Sequence, residues 1–225
     1  MNTSAENSSP SRILIVDDHP LFREGLRQLI DREPGLTVCG EAADAAEAMR
    51  LVKANRPDLV IVDISLGGTN GIDLIKTLSA DDSELPFLVV TMHDESLYAE
   101  RALRAGAMGF IMKHEPPKTF KTAIHRVLAG ELFLSEKMSA TLLKKLMRGE
   151  VGPDKSPVSG LSDRELEVFR MLGQGKDRHQ IAQELNLTVN TINSFRTRIK
   201  EKLHFKNSTE LLLHAIQWVQ EEANQ

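Results

Sequence analysis

The first half of the chain alternates short apolar runs with longer amphipathic stretches. The apolar runs have the length of buried strands, and the stretches between them repeat apolar residues at helical spacing. The strand-like runs are RILIV, LTVCGEA, LVIV, FLVV and GFIM, and the helical stretches lie near residues 20–32, 44–55, 71–79, 95–105 and 117–129. Strict alternation of strand and helix indicates right-handed crossovers and a parallel sheet covered on both faces. The pattern predicts an α/β doubly wound domain with a five-stranded parallel sheet over residues 11–132.

The second half is patterned as helices. A helix near residues 135–148 is followed by GEVGPDKSPVSG, whose glycine, proline and serine content predicts a linker. Residues 133–158 are therefore interpreted as a helix and linker. Four more helices are predicted near residues 162–173, 178–185, 189–204 and 208–221.

Helix start signals mark these last four helices clearly. Thr188 is well placed to cap the third of them. Capping-box spacing is present in three pairs, Ser162 with Glu165, Asp177 with Gln180 and Asn207 with Glu210. Only ELNLT separates the second and third helices, which predicts a tight helix-turn-helix corner. Residues 159–222 are thus predicted to form a small all-α four-helix helix-turn-helix domain.

Composition limits the class of protein without identifying it. The 225 residues are 41% hydrophobic and 27% charged, and the longest apolar runs are far too short to span a bilayer. The polar N-terminus lacks the apolar core of a signal peptide, and the single cysteine, Cys39, allows no internal disulfide. We therefore expect a cytoplasmic protein with no membrane partner.

Polar side chains follow the apolar runs at the points where four strands end. They are Asp17 and Asp18, Asp63, Thr91, and Lys113. Because ligands of open α/β sheets bind beyond the carboxyl ends of the strands, these groups should converge at one edge. Carboxylates, a hydroxyl and an ammonium suit a divalent cation and a phosphoryl group. The alternative interpretation is that polar residues merely end the strands.

The predicted third helix of the second domain is basic. Residues 188–206 carry a net charge of +4, with Glu201 as their one acidic residue. A basic helix in an otherwise neutral module indicates a polyanion-binding surface, whereas the simpler interpretation is a solvated helix face.

Several segments resemble one family in the right order. The chain resembles two-component response regulators of the NarL/FixJ type, in which a flavodoxin-like receiver resembling CheY precedes a LuxR-type helix-turn-helix. The receiver segments are IVDDHPLFREGL, PDLVIVDISL, VVTMHDE and AGAMGFIMK. The output segments are LSDRELEVFRMLGQG, IAQELNLTVNTI and KLHFKNSTELLLHA.

The resemblance implies roles for the strand-end residues. Asp63 would accept a phosphoryl group from a sensor histidine kinase, while Thr91 and Lys113 contact the transferred oxygens. Magnesium would be held by Asp17, Asp18, Asp63 and the backbone carbonyl of Ser65. Phe110 would follow Thr91 as a steric switch, with a plain core aromatic as the alternative. Gly67 and Gly68 stand in the loop where many receivers have a proline, which puts the phosphorylation kinetics in doubt.

The resemblance also implies roles for the output helices. The third helix would enter the major groove, and its predicted DNA contacts are Thr188, Asn190, Thr191, Asn193, Ser194, Arg196, Arg198, Lys200 and Lys202. The fourth helix would pair two subunits through Leu211, Leu212, Ala215, Ile216 and Val219, with packing inside the domain as the alternative.

The expected function is that of a response regulator transcription factor in which phosphorylation of Asp63 controls dimerisation and binding to double-stranded DNA. The main alternative is a phosphorylation-independent regulator whose receiver is a dimerisation or adaptor module. A phosphatase of the haloacid dehalogenase type is a weaker alternative, because Ser65 stands where those enzymes need a second aspartate. We expect no enzymatic activity beyond slow self-dephosphorylation.

Overall fold

The computed structural model describes residues 9–148 and 157–223 and divides the chain into two compact units, Met1–Lys144 and Lys145–Gln225. The elements of the first unit are β1 (Ser11–Val16), α1 (Pro20–Asp31), β2 (Leu36–Ala42), α2 (Ala45–Asn55), β3 (Leu59–Val62), β4 (Ser65–Leu66), β5 (Thr69–Asn70), α3 (Gly71–Asp81), β6 (Phe87–Thr91), α4 (Glu95–Ala105), β7 (Ala107–Met112) and α5 (Pro117–Leu128). Helix α6 (Glu136–Met147) spans the division between the units.

Five of the strands form the predicted parallel sheet. Their order is β2-β1-β3-β6-β7, and every neighbouring pair is parallel. Strands β1 and β3 are fully buried from Ile13 and Leu59 onward, as expected of strands covered on both faces. The doubly wound α/β fold is confirmed.

Strand register brings the carboxyl ends to a common edge. Val16 at the end of β1 pairs with Val62 at the end of β3, so that Asp17 and Asp63 are the next residues on adjacent strands. The Asp63 amide donates to the Val16 carbonyl at 2.9 Å, which continues the ladder into the site. On the other side the Lys113 amide donates to the carbonyl of Thr91 at 2.8 Å.

One face of the sheet packs on α1 and α5. Ile13 and Ile15 of β1 belong to the same buried cluster as Leu26 of α1 and Phe120 and Ile124 of α5. Helices α2 and α4 contact strands of the same sheet, and α3 contacts both of these helices. Alternate residues along the strands thus pack against two separate layers of helices, one on each face of the sheet.

A short antiparallel hairpin, β4–β5, follows β3 and was not predicted. Ser65 pairs with Asn70 and Leu66 with Thr69, which leaves Gly67 and Gly68 as its turn. Gly68 has φ of 101°, a conformation open to glycine at little steric cost. The two glycines therefore form a defined tight turn.

The second unit contains a 3₁₀ turn (Pro157–Gly160) and the helices α7 (Asp163–Gly173), α8 (Arg178–Glu184), α9 (Val189–Lys202) and α10 (Ser208–Ala223). The four-helix prediction is confirmed. Most of the predicted linker, residues 149–156, lies outside the described residues. Among the described residues, no helix has the length and apolar character that a bilayer crossing requires.

Capping fixes where these helices begin. Complete capping boxes start α7 at Ser162 and α8 at Asp177, and the Thr188 hydroxyl accepts from the Thr191 amide at the start of α9. The predicted third box is only half formed. Asn207 Oδ1 accepts from the Glu210 amide at 2.9 Å, but the Glu210 carboxylate accepts from the amide of Lys206 instead of that of Asn207.

Candidate functional site

Two buried carboxylates lie at the carboxyl edge of the first unit's sheet. Asp17 is 2% exposed and Asp63 is 3% exposed, whereas Asp18 is partly exposed. One ligand atom from each of these residues and one from His19 all lie within 4.8 Å of one another. The structure therefore brings together the three acidic residues that the sequence predicted.

Lys113 bridges the two buried carboxylates. Its Nζ lies 2.7 Å from Asp17 Oδ2 and 2.7 Å from Asp63 Oδ2. The same ammonium lies 4.6 Å from the centre of the Phe22 ring, a cation–π distance. Lys113, which directly follows β7, thus supplies the positive charge that two adjacent buried carboxylates require.

The environment of Asp63 opposes its ionisation. Burial raises the pKa of this carboxyl, Lys113 acts in the opposite direction, and the nearby charge of Asp17 raises the pKa further. The net result is a raised pKa. Positive charge brought near Asp63 would stabilise its ionised form.

Asp18 offers an oxygen suited to a cation. Asp18 Oδ2 accepts a hydrogen bond from the Gly67 amide at 3.1 Å. Asp18 Oδ1 is buried and receives no hydrogen bond, although His19 Nδ1 lies 2.8 Å from it. Carboxylate oxygens are the ligands that hard divalent cations prefer. The cluster of Asp17, Asp18 and Asp63 could therefore hold a metal ion.

His19 belongs to the site and was missed by sequence reasoning. Its Nδ1 lies 3.1 Å from Asp17 Oδ1 and 3.9 Å from Asp63 Oδ2. The available signal was its position directly after Asp17 and Asp18, because the residue that follows a strand-end acidic pair stays at the same sheet edge.

Thr91 is fully buried at the end of β6 and hydrogen-bonds Asp63 through its side chain. Thr91 Oγ1 also accepts from the His93 amide at 3.3 Å. The Ser65 amide lies 3.4 Å from Asp63 Oδ1, and Ser65 Oγ lies 2.9 Å from His93 Nε2. These contacts join the loops after β3 and β6. The Ser65 carbonyl as a metal ligand stays a prediction.

Phe110 is a buried residue of β7, 2% exposed and paired in register with Val89. This position satisfies the core-aromatic interpretation. Its proposed role as a switch stays a prediction.

The predicted DNA-contact residues on α9 differ in how accessible they are. Ile192 and Ile199 are fully buried, as expected for the face that packs within the unit. The hydroxyls of Thr188 and Thr191 lie 2.9 Å apart and are used at the helix start. The exposed members of the predicted set are Thr188, Asn190, Ser194, Arg198 and Lys202.

Lys202 is held by a partner within its own unit. Its Nζ lies 2.6 Å from Oε2 of Glu165 on α7, and the Glu165 side chain is only 3% exposed. The same carboxylate oxygen accepts from the Ser162 amide at 2.8 Å, which completes the capping box of α7. Lys202 therefore has an internal structural role that the sequence did not predict.

The fourth helix of this unit, α10, packs on α7. A Cβ at Gly173 would lie 2.3 Å from the Ala215 carbonyl oxygen and 2.6 Å from Val219 Cγ2, so the two helices approach very closely. Leu211 and Ala215 are 1% and 0% exposed. These two residues fill the unit's own core, as the alternative of packing inside the domain predicts, so we correct the predicted dimer contact at Leu211 and Ala215. Leu212 is 41% exposed, and Ile216 and Val219 are partly exposed, so their predicted role stands untested.

The fold and site define a receiver joined to a helix-turn-helix output domain, and two family models match accordingly. The response regulator receiver domain matches residues 13–125, and the luxR family of bacterial regulatory proteins matches residues 159–215. The chain belongs to the two-component response regulators of the NarL/FixJ type. It is a response regulator transcription factor with a receiver and a LuxR-type DNA-binding domain.

Similar proteins span nearly the whole chain. The nitrate/nitrite response regulator NarL of Escherichia coli K12 is 31% identical over 96% of this chain and 98% of its own length. The response regulator UvrY of the same strain is 30% identical over 91% of this chain and 93% of its own length. RcsB from Salmonella enterica serovar Typhimurium, solved bound to a promoter in the presence of the phosphomimetic BeF₃⁻, is 27% identical with a TM-score of 0.57, covering 92% of this chain and all of that one.

Proposed function

We propose that a sensor histidine kinase phosphorylates this regulator on Asp63 and that phosphorylation promotes homodimerisation and binding to double-stranded DNA in the cytoplasm. The observation that carries the proposal is the position of Asp63, between Lys113 at 2.7 Å and the hydroxyl of Thr91, beside two further carboxylates. This arrangement combines a nucleophile, a cation and a hydroxyl donor at one sheet edge.

The chemistry is transfer of a phosphoryl group from a phosphohistidine to the Asp63 carboxylate. The P–N bond of the donor breaks as a P–O bond to Asp63 forms. Lys113 neutralises charge on the transferred oxygens, and Thr91 donates its hydroxyl to one of them. The new acyl phosphate carries a charge of about −1.5 to −2. The hydrogen bond from Thr91 therefore strengthens after transfer.

Mg²⁺ is the cofactor that we propose for this site. Asp17, Asp18, Asp63 and the carbonyl of Ser65 are the groups that would hold it, and the bound ion would neutralise negative charge on the carboxylates and on the transferred phosphoryl oxygens. The buried Asp18 Oδ1, which receives no hydrogen bond, supports the fit. We propose no enzymatic activity toward other substrates.

DNA binding is assigned to the exposed face of α9. Asn190 and Ser194 lie at its N-terminal end, where base edges would be met, and Arg198 is placed for phosphate contact. The RcsB structure, in which a relative is bound to a promoter in the presence of a phosphomimetic, supports the coupling of receiver to output. Leu212, Ile216 and Val219 are the surface-accessible members of the predicted dimer contact.

A phosphodonor experiment on the full chain tests the proposal. Acetyl phosphate with Mg²⁺ should add one phosphoryl group to the wild type and none to Asp63→Asn, as measured by intact mass. Asp58→Asn is the matched control, because Asp58 precedes the same strand at its opposite end, where its carboxylate accepts from the Arg12 amide. It should be labelled like the wild type.

Fluorescence anisotropy with a duplex selected from random sequences then measures the coupling. We expect phosphorylation to tighten binding by about 5- to 150-fold, the usual range for coupled sites. Equal affinity in both states would contradict the coupling and favour a receiver that acts only as an adaptor or dimerisation module.

A further inference from the structure

His19 is the residue of the acidic edge to which the proposed function gives no role. Its ring faces the cluster, with Nδ1 2.8 Å from Asp18 Oδ1 and 3.1 Å from Asp17 Oδ1. Lys113 Nζ lies 3.5 Å from the same nitrogen. The side chain remains 62% exposed, so the ring closes the site on the solvent side without being part of the core.

The backbone of His19 is fixed by hydrogen bonds, whereas its ring makes no hydrogen bond to the helix that follows. The His19 amide donates to Asp17 Oδ1 at 2.8 Å, and its carbonyl accepts from the Arg23 amide at 3.1 Å. His19 is the N-cap of α1, but its side chain makes no capping hydrogen bond, and Pro20 at the first helical position has no amide proton to satisfy. The main chain of His19 is thus fixed beside the site, and its imidazole contacts the carboxylates instead of capping the helix.

The spacing of these atoms matches a coordination sphere. Metal–ligand bonds of about 2.0–2.2 Å place neighbouring ligand atoms about 3 Å apart. The separations from His19 Nδ1 to the oxygens of Asp18 and Asp17, 2.8 and 3.1 Å, are of this size. Asp18 Oδ1 is buried without a hydrogen bond and lies next to His19 Nδ1, so one ion could accept both as ligands.

Imidazole changes which cations a carboxylate site prefers. Oxygen ligands alone suit Mg²⁺, whereas a nitrogen ligand adds affinity for the later first-row metals, in the order Mn²⁺ < Co²⁺ < Ni²⁺. We propose that His19 is an additional metal ligand of this site and that it gives the receiver affinity for divalent transition-metal ions such as Ni²⁺ and Co²⁺. This inference rests on the proposed function only in taking the acidic edge as the metal site.

Isothermal titration calorimetry on the full chain, with MgCl₂ and with NiCl₂, tests the proposal. His19→Ala should weaken Ni²⁺ binding by about tenfold or more and leave Mg²⁺ binding within about twofold of the wild type. His19→Asn should behave alike, since an amide oxygen is a hard ligand. His114→Ala is the matched control, because His114 is an exposed histidine that follows Lys113, and it should leave both affinities unchanged.

The visible absorption of bound Co²⁺ gives a second readout that reports the ligand atoms directly. The bands of the wild type should shift in His19→Ala and His19→Asn and stay unchanged in His114→Ala. Unchanged Ni²⁺ affinity and unchanged Co²⁺ bands in both His19 variants would overturn the proposal, as would equal losses for Mg²⁺ and Ni²⁺.

Asp18→Asn separates this failure from that of the proposed function. If it weakens Mg²⁺ binding while the His19 variants bind Ni²⁺ normally, the acidic edge is the metal site and only the role of His19 is wrong. If Asp18→Asn leaves Mg²⁺ binding unchanged, the metal assignment in the proposed function fails and the inference about His19 fails with it.

Discussion

Replacement of Glu165 by glutamine isolates one ion pair between α7 and α9. Glu165 Oε2 accepts from Lys202 Nζ at 2.6 Å and from the Ser162 amide at 2.8 Å. Glutamine serves as well as glutamate in a capping box, so E165Q keeps an acceptor for Ser162. E165Q removes the negative charge that pairs with the Lys202 ammonium. This ion pair attaches the C-terminal turn of α9 to α7.

The exposure of the two partners sets the size of the effect. A hydrogen bond that involves charged groups contributes about 1.5–3 kcal/mol, and a surface ion pair about 0–1 kcal/mol. Glu165 is 3% exposed and Lys202 is 42% exposed, so the pair lies between these cases. We expect E165Q to lower the free energy of unfolding of the second unit by about 1–2 kcal/mol. Lys202→Met removes the same contact, and the double variant should lose less than the sum of the two.

Urea unfolding of the full chain measures this loss. Trp218 is the only tryptophan, and its ring lies 5.6 Å from that of Phe169 on α7, so its fluorescence reports on the second unit. Burial favours a higher pKa for Glu165, but the hydrogen bonds from Lys202 and from the Ser162 backbone outweigh it and lower the pKa. The ionised carboxylate therefore stabilises the fold above its ordinary pKa of 4.5, and the difference between wild type and E165Q should disappear as the pH falls through the lowered value.

DNA binding distinguishes an internal role for Lys202 from a phosphate contact. Each phosphate contact contributes about 0.9 to the slope of log affinity against log salt concentration. Arg198→Met should reduce the slope by about this amount, because Arg198 is exposed on α9. Lys202→Met should weaken binding equally at all salt concentrations. A reduced slope for Lys202→Met without any loss of stability would refute the reasoning.

Three further substitutions follow from the geometry. In the absence of divalent cations, Asp63→Asn should raise the free energy of unfolding by about 1 kcal/mol, because burial raises the pKa of this carboxyl and disfavours its charge. Fluorescence of Tyr98, the only tyrosine, measures the unfolding, and equal stabilities of variant and wild type would contradict the prediction. Gly71→Ala should cost about 1–3 kcal/mol or more, because its Cβ would lie 1.9 Å from a backbone oxygen, whereas Gly25→Ala has open space and should cost nothing. Gly173→Ala should similarly destabilise the second unit, seen as a lower urea midpoint by Trp fluorescence, and an unchanged midpoint would show that α10 can move away.

Sequence patterns predicted every long element because local and tertiary preferences agree there. The five apolar runs are strands, and the capping residues Ser162, Asp177 and Thr188 lie where their helices begin. The β4–β5 hairpin was missed because two-residue strands are too short to show alternation. Its sequence signal is the pair Gly67 and Gly68, which form the turn.

Side-chain partners were less predictable than strand ends. The convergence of Asp17, Asp63 and Lys113 follows from strand order alone, since all parallel strands end at one edge. The pairing of Lys202 with Glu165 depends on how α7 crosses α9, which periodicity does not encode. The burial of Leu211 likewise depends on the close approach of α10 to Gly173, a consequence of tertiary packing.

The close contact at Gly71 restricts the end of the strand that leads into Asp63 on the side of α3. The Gly71 amide donates to the Ile64 carbonyl at 2.7 Å, and there is no room between Gly71 and the Asp63 carbonyl even for a methyl group. Displacement of the main chain of Asp63 toward α3 is therefore blocked. On the opposite side, Thr91 leads into Met92, which is 65% exposed. We expect motion after phosphorylation to be directed into the loop after β6, so that α4 moves while α3 remains a fixed support.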